Sequence, residues 1–355
     1  MSGNGKTLKD LAEALGISVA TVSRALAGQG RISLETRERV AQAAQEIGYV
    51  PNRAARALVS GRTGFVGLIL PMRGHGQEDP FLGEFVTGLG QGLSEKGFDL
   101  FLTVAPEGDR ELEVLKHVVR DRRADALVLA RITEQDPRVG FLLERGFSFV
   151  THGRLIESEA GYDWLDTHGE AAFAEAFDLL YGLGHRHFGF VTISEPMAFR
   201  RRRGDGLQAA AARANDPSVR LAIVTSPRFD RAARRAAIHR MLTAEDRPTA
   251  VIALFDGMAI ATLQEAARLG LRVPEDLSVV GFDNIPAAEH IPPGLTTFDA
   301  AIRDCAYQLA GMLIDRLSGN REAPETRLVE PRLILRGSHG PAPVTRSRST
   351  IQGRK

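Results

Sequence analysis

Between residues 7 and 48, the hydrophobic positions recur at helical spacing in three short segments. Each segment follows a Thr or Ser whose hydroxyl can cap a helix N-terminus, and glycines end the first and third segments. The capping residues are Thr7, Ser18 and Ser33, and the glycines are Gly16 and Gly48. A helix, a turn through Gly16 and a second helix predict a helix-turn-helix unit, which a third helix follows.

From residue 65 onward, short apolar runs alternate with segments of helical periodicity. The predicted strands include residues 65–70, 99–104, 126–130, 148–151, 187–192, 221–225, 250–254 and 277–282. The predicted helices cover residues 85–96, 112–121, 139–145, 170–183, 206–214, 231–243, 258–269 and 304–317. This alternation predicts an α/β core of parallel sheets with helices on both faces. About ten strands are expected, which is more than one doubly wound sheet holds, so we divide the core into two lobes.

These patterns together predict four parts of the chain. The parts are a helix-turn-helix domain at 1–50, a linker at 51–62, a two-lobed core at 63–340 and a disordered basic tail at 341–355. The first lobe is expected to comprise about 63–165 and 297–325, and the second about 166–296 and 326–340. Because ligands of doubly wound sheets bind beyond the carboxyl ends of the strands, we expect a cleft between the lobes.

Composition narrows the class of protein. Hydrophobic residues make up 43% of the 355 residues and charged residues 25%, which excludes collagen-like and mainly disordered chains. The single cysteine, Cys305, excludes an intrachain disulfide and a cysteine-based zinc cluster, and we expect it to be buried near the start of a helix. The sequence shows no secretory signal and no apolar run near the roughly 20 residues that span a bilayer, so we expect a cytoplasmic protein.

Positive charge is concentrated near the N-terminus, although the net charge of the whole chain is only +1. Residues 1–62 contain nine basic and five acidic side chains, which gives +4 and leaves −3 for the rest of the chain. The charge asymmetry therefore lies in the helix-turn-helix domain and the linker.

Four blocks in the N-terminal part of the chain carry a family resemblance. They are TLKDLA at 7–12, GISVATVSRAL at 16–26, RISLETR at 31–37 and GYVPNRAARAL at 48–58. In these blocks the chain resembles the lactose/galactose repressor family of transcription regulators. The core also resembles this family, whose effector domain has the fold of periplasmic sugar-binding proteins. The matching core blocks are GLGHRH at 182–187, RGDGLQAA at 203–210, GLRVPEDLSVVGFD at 270–283 and PPGLTT at 292–297.

The helix after Ser18 carries the residues that we predict to contact DNA. Its N-terminus can enter the major groove, which places Val19, Ala20 and Arg24 near base edges. Val19 and Ala20 can contact a thymine methyl group, whereas Arg24 can bind guanine through two hydrogen bonds. The alternatives are packing between helices for Val19 and Ala20, and a solvated surface position for Arg24. The hydroxyls predicted to contact phosphates are those of Thr7, Ser18, Thr21 and Ser23.

Residues 52–58 are helical by propensity but too short to be stable alone. They resemble the family's hinge helix, which pairs with that of a second subunit in the minor groove and inserts a leucine into a central base step. The resemblance gives this role to Leu58, with Ala55 inserted beside it and Asn52 opening the segment. The alternative for Leu58 is packing against the first core strand. The resemblance implies a homodimer on a palindromic operator with a central CG step, where unstacking exposes apolar surface for Leu58.

The resemblance also places an effector in the cleft of the core. Arg203 matches the family's effector-clamping arginine and Asp283 an aspartate that accepts hydrogen bonds from hydroxyls, a pair that suits a polyol. Phe81 and Trp164 are candidates for stacking on a sugar ring, although a core position suits Trp164 equally well. The alternatives are loop capping for Asp283 and a solvated charge face for Arg203 within the run 200–203. Further predicted effector contacts are His152, Arg154, Asp166, Phe255 and Asp256.

Two segments, 151–154 and 162–166, resemble a subgroup of the family that responds to sugars or glycosides. The chain departs from the family pattern at Phe255, where many relatives have Asn, and at Gly153 and His168, where many have acids. An apolar group at Phe255 weakens the expectation of a standard hexose as effector. The tail lacks the leucine heptads of the tetrameric lactose repressor, so a dimer is expected.

Sequence motifs of enzymes are absent. The nine histidines form no His-x-x-x-His on a helix, and the chain has no Gly-x-Ser-x-Gly and no glycine-rich phosphate loop before a helix. The resemblance implies a DNA-binding repressor of carbohydrate-utilisation genes, and we predict that it has no enzymatic activity, metal, cofactor or membrane partner. The alternatives are a sugar-binding transport receptor and a sugar-modifying enzyme.

Overall fold

The computed structural model describes residues 6–26, 32–49, 62–71, 80–105, 109–157 and 161–343. Its first three helices are α1 (Leu8–Leu15), α2 (Val19–Leu26) and α3 (Leu34–Glu46). A capping box begins α1, because the Asp10 N–H donates to the Thr7 hydroxyl and the Thr7 N–H donates to the Asp10 carboxylate. Gly16 ends α1 at a φ of 65°, which glycine adopts without a steric penalty. The helix-turn-helix prediction is confirmed.

The three N-terminal helices share one small hydrophobic core. Leu11, Val22 and Val40, one from each helix, are fully buried. Three buried alanines pack between them, and these are Ala12, Ala25 and Ala44. A unit of this size has few apolar side chains to bury, so its core supplies no more than about 3–5 kcal/mol of net stability.

The larger part of the chain alternates strands and helices, as the sequence pattern predicts. The strands are β1 (Phe65–Pro71), β2 (Asp99–Ala105), β3 (Ala126–Leu129), β4 (Phe149–His152), β5 (Asp163–Thr167), β6 (His187–Ile193), β7 (Arg220–Ser226), β8 (Ala250–Ala253), β9 (Ser278–Val280), β10 (Thr297–Asp299), β11 (Thr326–Val329) and β12 (Arg332–Ile334). The helices are α4 (Pro80–Glu95), α5 (Asp109–Arg120), α6 (Pro137–Glu144), α7 (Gly169–Gly182), α8 (Ala198–Arg213), α9 (Arg231–Thr243), α10 (Asp256–Arg268), α11 (Pro286–His290) and α12 (Ile302–Leu317).

The first lobe is built on a six-stranded parallel sheet with the order β11-β5-β4-β3-β1-β2. Successive residues of β3 face opposite sides of this sheet: Val128 packs in the cluster that includes α4 and α12, whereas Leu127 and Leu129 pack with α5 and α6. The strand is therefore buried on both faces, which explains its uninterrupted apolar sequence.

The second lobe is built on a four-stranded parallel sheet with the order β7-β6-β8-β9. Helix α7 packs on α8, and α9 packs on α10. A separate antiparallel pair, β10 and β12, places Phe298 beside Leu333. The predicted α/β core of doubly wound parallel sheets is confirmed.

The sequence pattern missed β5 and the C-terminal strands. The sequence pattern predicts no strand at 162–166, because β5 carries buried polar side chains, among them Asp163 and Asp166. We expected 326–340 in the second lobe, but β11 pairs in parallel with β5 at the edge of the first sheet, where Thr326 lies beside Trp164. Three-residue and four-residue strands are too short to show an alternating pattern of their own.

Two further boundaries differ from the prediction. Helix α8 begins at Ala198 rather than at 206, because its first two turns are a run of arginines without apolar periodicity. The tail predicted to be disordered from 341 is ordered at its start, since the N–H of Ala342 donates to the Leu183 carbonyl at 2.9 Å. Residues 344–355 lie outside the described residues.

The single cysteine and the hydropathy of the described helices agree with what the composition predicts. Cys305 is fully buried in the first turn of α12, as predicted, and burial raises the pKa of its thiol to about 12. Of the helices within the described ranges, none combines the length and the hydropathy needed to cross a membrane.

Candidate functional site

The first half of α2 presents apolar side chains to solvent. Val19 is 44% exposed, Ala20 and Arg24 are exposed as well, and the buried face of the helix is formed by Val22 and Ala25. Val19 and Ala20 therefore do not pack between the helices. Short apolar side chains and one arginine on the free face of this helix are what reading base edges in a major groove requires.

Hydroxyl groups surround the N-terminus of α2. The Ser18 hydroxyl oxygen accepts a hydrogen bond from the Thr21 N–H at 3.1 Å and lies 2.8 Å from the Thr21 hydroxyl. Ser23 is half-buried. The Thr7 N–H and the Thr7 hydroxyl donate to the Asp10 carboxylate at 2.7 Å and 3.0 Å, and both bonds lower the pKa of that carboxyl. Ser18 thus caps the helix as predicted. The predicted hinge residues Asn52, Ala55 and Leu58 lie outside the described residues.

A cleft of about 770 Å³ lies between the two lobes. It is lined by residues at the carboxyl ends of strands from both sheets. In the first lobe, His152 is the last residue of β4 and Asp166 lies near the end of β5. In the second lobe, Phe255 follows β8 and Asp283 follows β9. This is where the sequence pattern predicted a ligand site. The predicted effector residues that line the cleft are Phe81, His152, Asp166, Arg203, Phe255 and Asp283.

Arg203 is the most deeply buried cation of the cleft. Only 8% of the residue is exposed, its guanidinium donates to the Leu254 carbonyl at 2.6 Å, and its Cζ lies 3.7 Å from the centroid of the Phe282 ring. Burial lowers the pKa of this guanidinium, and the neighbouring carboxyl of Asp283 acts in the opposite direction. A guanidinium fixed by a carbonyl and an aromatic face presents its remaining N–H groups in one defined geometry.

Close packing of helices explains why Arg203 points inward from its run of four arginines. A Cβ on Gly206 would lie 2.2 Å from the Glu170 carbonyl oxygen, so α8 can approach α7 this closely only with glycine there. The contact fixes the rotation of α8, which turns Arg203 into the cleft. Arg201 instead faces solvent and pairs with Asp205 at 3.0 Å. The solvated alternative therefore holds for Arg201 and is excluded for Arg203.

Asp283 lies beside Arg203 on the second lobe, directly after Phe282, whose ring the Arg203 guanidinium contacts. Its backbone has a φ of 110°, unusual for a residue other than glycine, and such strain is concentrated at functional sites. Its carboxylate accepts no hydrogen bond within the described part of the chain, so it is available to a ligand. Burial raises its pKa to about 6, although Arg203 and Arg228 act against the shift.

Two aromatic walls flank this pair of charges. On the first lobe, the ring of His152 lies 5.4 Å from that of Phe81 and 5.3 Å from that of Phe85. Burial, helped by the charge of Arg203, lowers the pKa of His152 to about 4, so its imidazole is neutral at pH 7. On the second lobe, Phe255 and Phe199 line the cleft. Aromatic faces of this kind bind the apolar faces of a sugar ring.

Three of the predicted effector residues do not line the cleft. Asp256 is fully buried behind it and accepts hydrogen bonds from the Thr297 hydroxyl at 2.6 Å and the Ile285 N–H at 2.9 Å. Trp164 lies two residues before Asp166 on β5, and its side chain packs against the core of the first lobe. Arg154 lies between Trp164 and Asp166, 3.2 Å from the Asp166 carboxylate, and positions this carboxylate rather than facing a ligand.

Sequence reasoning also missed much of the cleft. Arg131 follows β3, and Phe229 and a group of arginines come from β7 and α9 of the second lobe. These arginines are Arg228, Arg231, Arg234 and Arg235. The signal that could have found them is the dense basic run 228–235, which no neighbouring acid other than Asp230 balances. Within the described residues, no group of histidine, cysteine and acidic side chains could hold a metal ion.

The two carboxyls Asp256 and Asp283 make stability depend on pH. Burial and the proximity of Asp283 raise the pKa of Asp256 to about 7, far above its ordinary value of 3.8. Between these pH values the folded chain holds protons that the unfolded chain has released, so the free energy of unfolding falls as pH rises from about 4 to about 7. We expect Asp283→Asn to flatten this dependence. Thermal unfolding of both full-length proteins from pH 4 to pH 8 tests it, and parallel curves would contradict it.

Comparison with known proteins matches both parts of the chain. Residues 7–52 match the family described as bacterial regulatory proteins, lacI family, and residues 177–339 match the periplasmic binding protein-like domain. The chain is 32% identical over 343 residues to the HTH-type transcriptional regulator AglR of Rhizobium meliloti (strain 1021), covering 95% of each protein. It is also 32% identical over 336 residues to the HTH-type transcriptional regulator CelR of Thermobifida fusca, covering 94% of this chain and 98% of CelR.

Solved structures show the same architecture. A complex of the transcriptional regulator CelR with cellobiose superposes with a TM-score of 0.70 at 29% identity, covering 94% of this chain and 99% of that one. The lac repressor dimer bound to operator and the anti-inducer ONPF gives a TM-score of 0.79 at 20% identity, covering 94% and 99% of the two chains. At that identity the second likeness shows the fold.

A helix-turn-helix domain joined to a two-lobed ligand-binding core defines a class of DNA-binding transcription regulators. The chain shares 32% of its residues with two such regulators over nearly its whole length. It therefore belongs to the lacI family of bacterial regulatory proteins. Because the relatives are transcriptional regulators and not enzymes, the prediction of a non-enzymatic regulator is confirmed.

Proposed function

We propose that this regulator represses transcription by binding a palindromic operator as a homodimer, and that a small sugar or glycoside in the cleft releases it. One observation carries the effector role: Arg203 and Asp283 lie together in a cleft with aromatic walls, and the Asp283 carboxylate accepts no hydrogen bond from the residues that the structure describes. A forked cation, a carboxylate and aromatic faces are the groups that recognise a polyol. The relative CelR, whose structure contains cellobiose, supports a carbohydrate.

Exposed apolar residues on two edge strands support a homodimer. β2 lies at the edge of the first sheet and β7 at the edge of the second. On β2, Leu102 is 44% and Val104 55% exposed, and on β7, Ile223 is 47% exposed. Apolar edge strands left open to water are sites of association between chains. Sedimentation of the full chain is expected to show a dimer.

Coupling between the cleft and DNA gives the proposed regulation. An effector that contacts both lobes favours one arrangement of the lobes over another. Residues 52–58 connect the helix-turn-helix domain to the first lobe along the chain, so a change between the lobes can alter how two helix-turn-helix domains are held on DNA. Such couplings are typically about 1–3 kcal/mol, or a 5- to 150-fold change in operator affinity. Action on chromosomal DNA is consistent with the predicted cytoplasmic location.

Selection of bound DNA from a random pool tests the proposed function. The full chain is expected to enrich a palindrome of two half-sites, since a symmetric dimer reads symmetric DNA. A chain without residues 1–61 is expected to enrich nothing. A thermal-shift screen of monosaccharides and disaccharides then tests the cleft. Enrichment of an asymmetric site, or equal enrichment by the shortened chain, would contradict the proposal.

Arg24→Ala is expected to relax sequence preference at one base pair in each half-site. Loss of two hydrogen bonds to guanine removes about 1–3 kcal/mol of discrimination at that position and leaves the other positions unchanged. Binding to a set of single-base operator variants measures it. Arg39→Ala, which removes an exposed arginine on α3, is the matched control. Unchanged preference at every position in Arg24→Ala would exclude the contact.

A further inference from the structure

One wall of the cleft carries a cluster of arginines that the recognition of a neutral sugar does not use. Arg231, Arg234 and Arg235 all line the cleft from α9. Their spacing of three and four residues puts the three guanidinium groups on one face of the helix. Like charges at this spacing destabilise a helix, so the arrangement is unfavourable for α9 in isolation.

These arginines differ from most exposed arginines of the core. Arg213 lies 2.8 Å from Asp178, and Arg303 lies 2.8 Å from Glu84. Among the described residues, Arg231, Arg234 and Arg235 form no salt bridge with any acid. Arg234 is the most constrained of the three: one of its terminal nitrogens donates to the Arg228 carbonyl, and its Nε is buried without a hydrogen-bond partner in the described part of the chain.

The residues that line the whole cleft also carry an excess of positive charge. Its described lining contains eight arginines and only two aspartates, Asp166 and Asp283. Glutamates pair with two of these arginines, Arg202 with Glu170 and Arg268 with Glu265, and Arg131 and Arg228 have partners of their own. Burial and the charges of Arg231 and Arg228 lower the pKa of Arg234, although Glu195 and Asp230 act in the opposite direction. A concave site with an excess of one charge attracts ligands of the opposite charge.

We propose that the effector is an anionic carbohydrate, either a sugar phosphate or a sugar acid, whose charged group binds Arg231, Arg234 and Arg235. Its hydroxyls then face Arg203 and Asp283. Arginine suits this role because its planar fork binds carboxylate and phosphate oxygens through paired hydrogen bonds. The inference rests on the proposed function, which requires a carbohydrate in the cleft but does not set its charge.

Matched neutral and charged probes test the inference on the full-length protein. The neutral probes are glucose and cellobiose, the charged probes are glucose 6-phosphate, glucuronate and cellobionate, and inorganic phosphate serves as the anion without a sugar. Calorimetry is expected to show at least tenfold tighter binding of a charged probe than of its neutral counterpart. The phosphate and carboxylate probes distinguish the two kinds of anionic group. The affinity of the charged probe is expected to fall with added salt.

A triple variant, Arg231→Gln with Arg234→Gln and Arg235→Gln, is expected to lose this tenfold preference. The control replaces Arg213, Arg240 and Arg272 by Gln, which makes the same charge change outside the cleft lining. A control that lost the preference equally would overturn the assignment, as would a triple variant that kept it. Matching unfolding temperatures of the two variants exclude a simple loss of folding.

The outcomes separate this inference from the proposed function. If a neutral sugar binds as tightly as its charged counterpart and releases DNA, the inference is wrong and the proposed function stands. If phosphate alone binds as tightly as glucose 6-phosphate and no other charged probe binds, the ligand is not an anionic carbohydrate. If none of the sugars binds or changes DNA binding, both proposals fail.

Discussion

Arg203→Ala is expected to bind operator DNA as the unchanged protein does but to need about 10- to 100-fold more effector to release it. Arg203 is 8% exposed and faces the carboxylate of Asp283. Removing it takes away hydrogen bonds from a charged donor, worth about 1.5–3 kcal/mol each in binding. It also removes the positive charge of Arg203 from beside Asp283, so the pKa of that carboxyl rises further.

The control for this variant is Arg201→Ala. Arg201 stands two residues away on the same helix, but it is exposed and paired with Asp205. Its removal is expected to leave effector response unchanged. Operator release, followed by fluorescence anisotropy against sugar concentration, measures both variants. Equal responses from Arg203→Ala and the unchanged protein would exclude Arg203 from the effector site.

Leu11→Ala is expected to abolish operator binding while the core still binds effector. Leu11 is fully buried between the three N-terminal helices. Truncating a buried leucine to alanine costs about 2–5 kcal/mol, because apolar contact is lost and a cavity remains. A core this small supplies about 3–5 kcal/mol in total, so the helix-turn-helix domain would be mostly unfolded.

Hydrogen exchange of residues 6–49, read beside exchange of the core, measures this effect directly. We expect loss of protection confined to α1, α2 and α3. Leu34→Ala is the control, since Leu34 is 72% exposed and its truncation leaves no cavity. Full protection of the three helices in Leu11→Ala would show that the domain has a larger stability reserve than its core indicates.

Local signals explain what could be predicted of the fold. The N-terminal helices begin at hydroxyl caps and end at glycine, and both signals involve residues three or four positions apart. The strands of the core are short apolar runs buried on both faces. β5 could not be found in this way, because the first lobe buries Asp163 by pairing its carboxylate with Arg316 and Arg321, each at 2.8 Å. Those partners lie more than 150 residues away along the chain.

The residues of the candidate site could likewise be predicted only in part. Family resemblance identified Arg203 and Asp283 as facing groups, and the structure brings them together in the cleft. It also suggested Trp164, but Trp164 lies nearer the start of β5 and packs in the core of the first lobe, whereas Asp166 and Thr167 at the end of the strand line the cleft. The arginines of α9 were missed because a basic helix face looks like solvated surface until a second lobe is placed opposite it.

Occupancy of the cleft is expected to control the affinity with which α2 binds DNA. The most direct measurement is the dissociation constant of the full chain for its selected palindrome, with and without a saturating concentration of the carbohydrate that binds the cleft. The account predicts that the saturated protein binds the palindrome about 5- to 150-fold more weakly. A dissociation constant that stays the same while the cleft is occupied would contradict it.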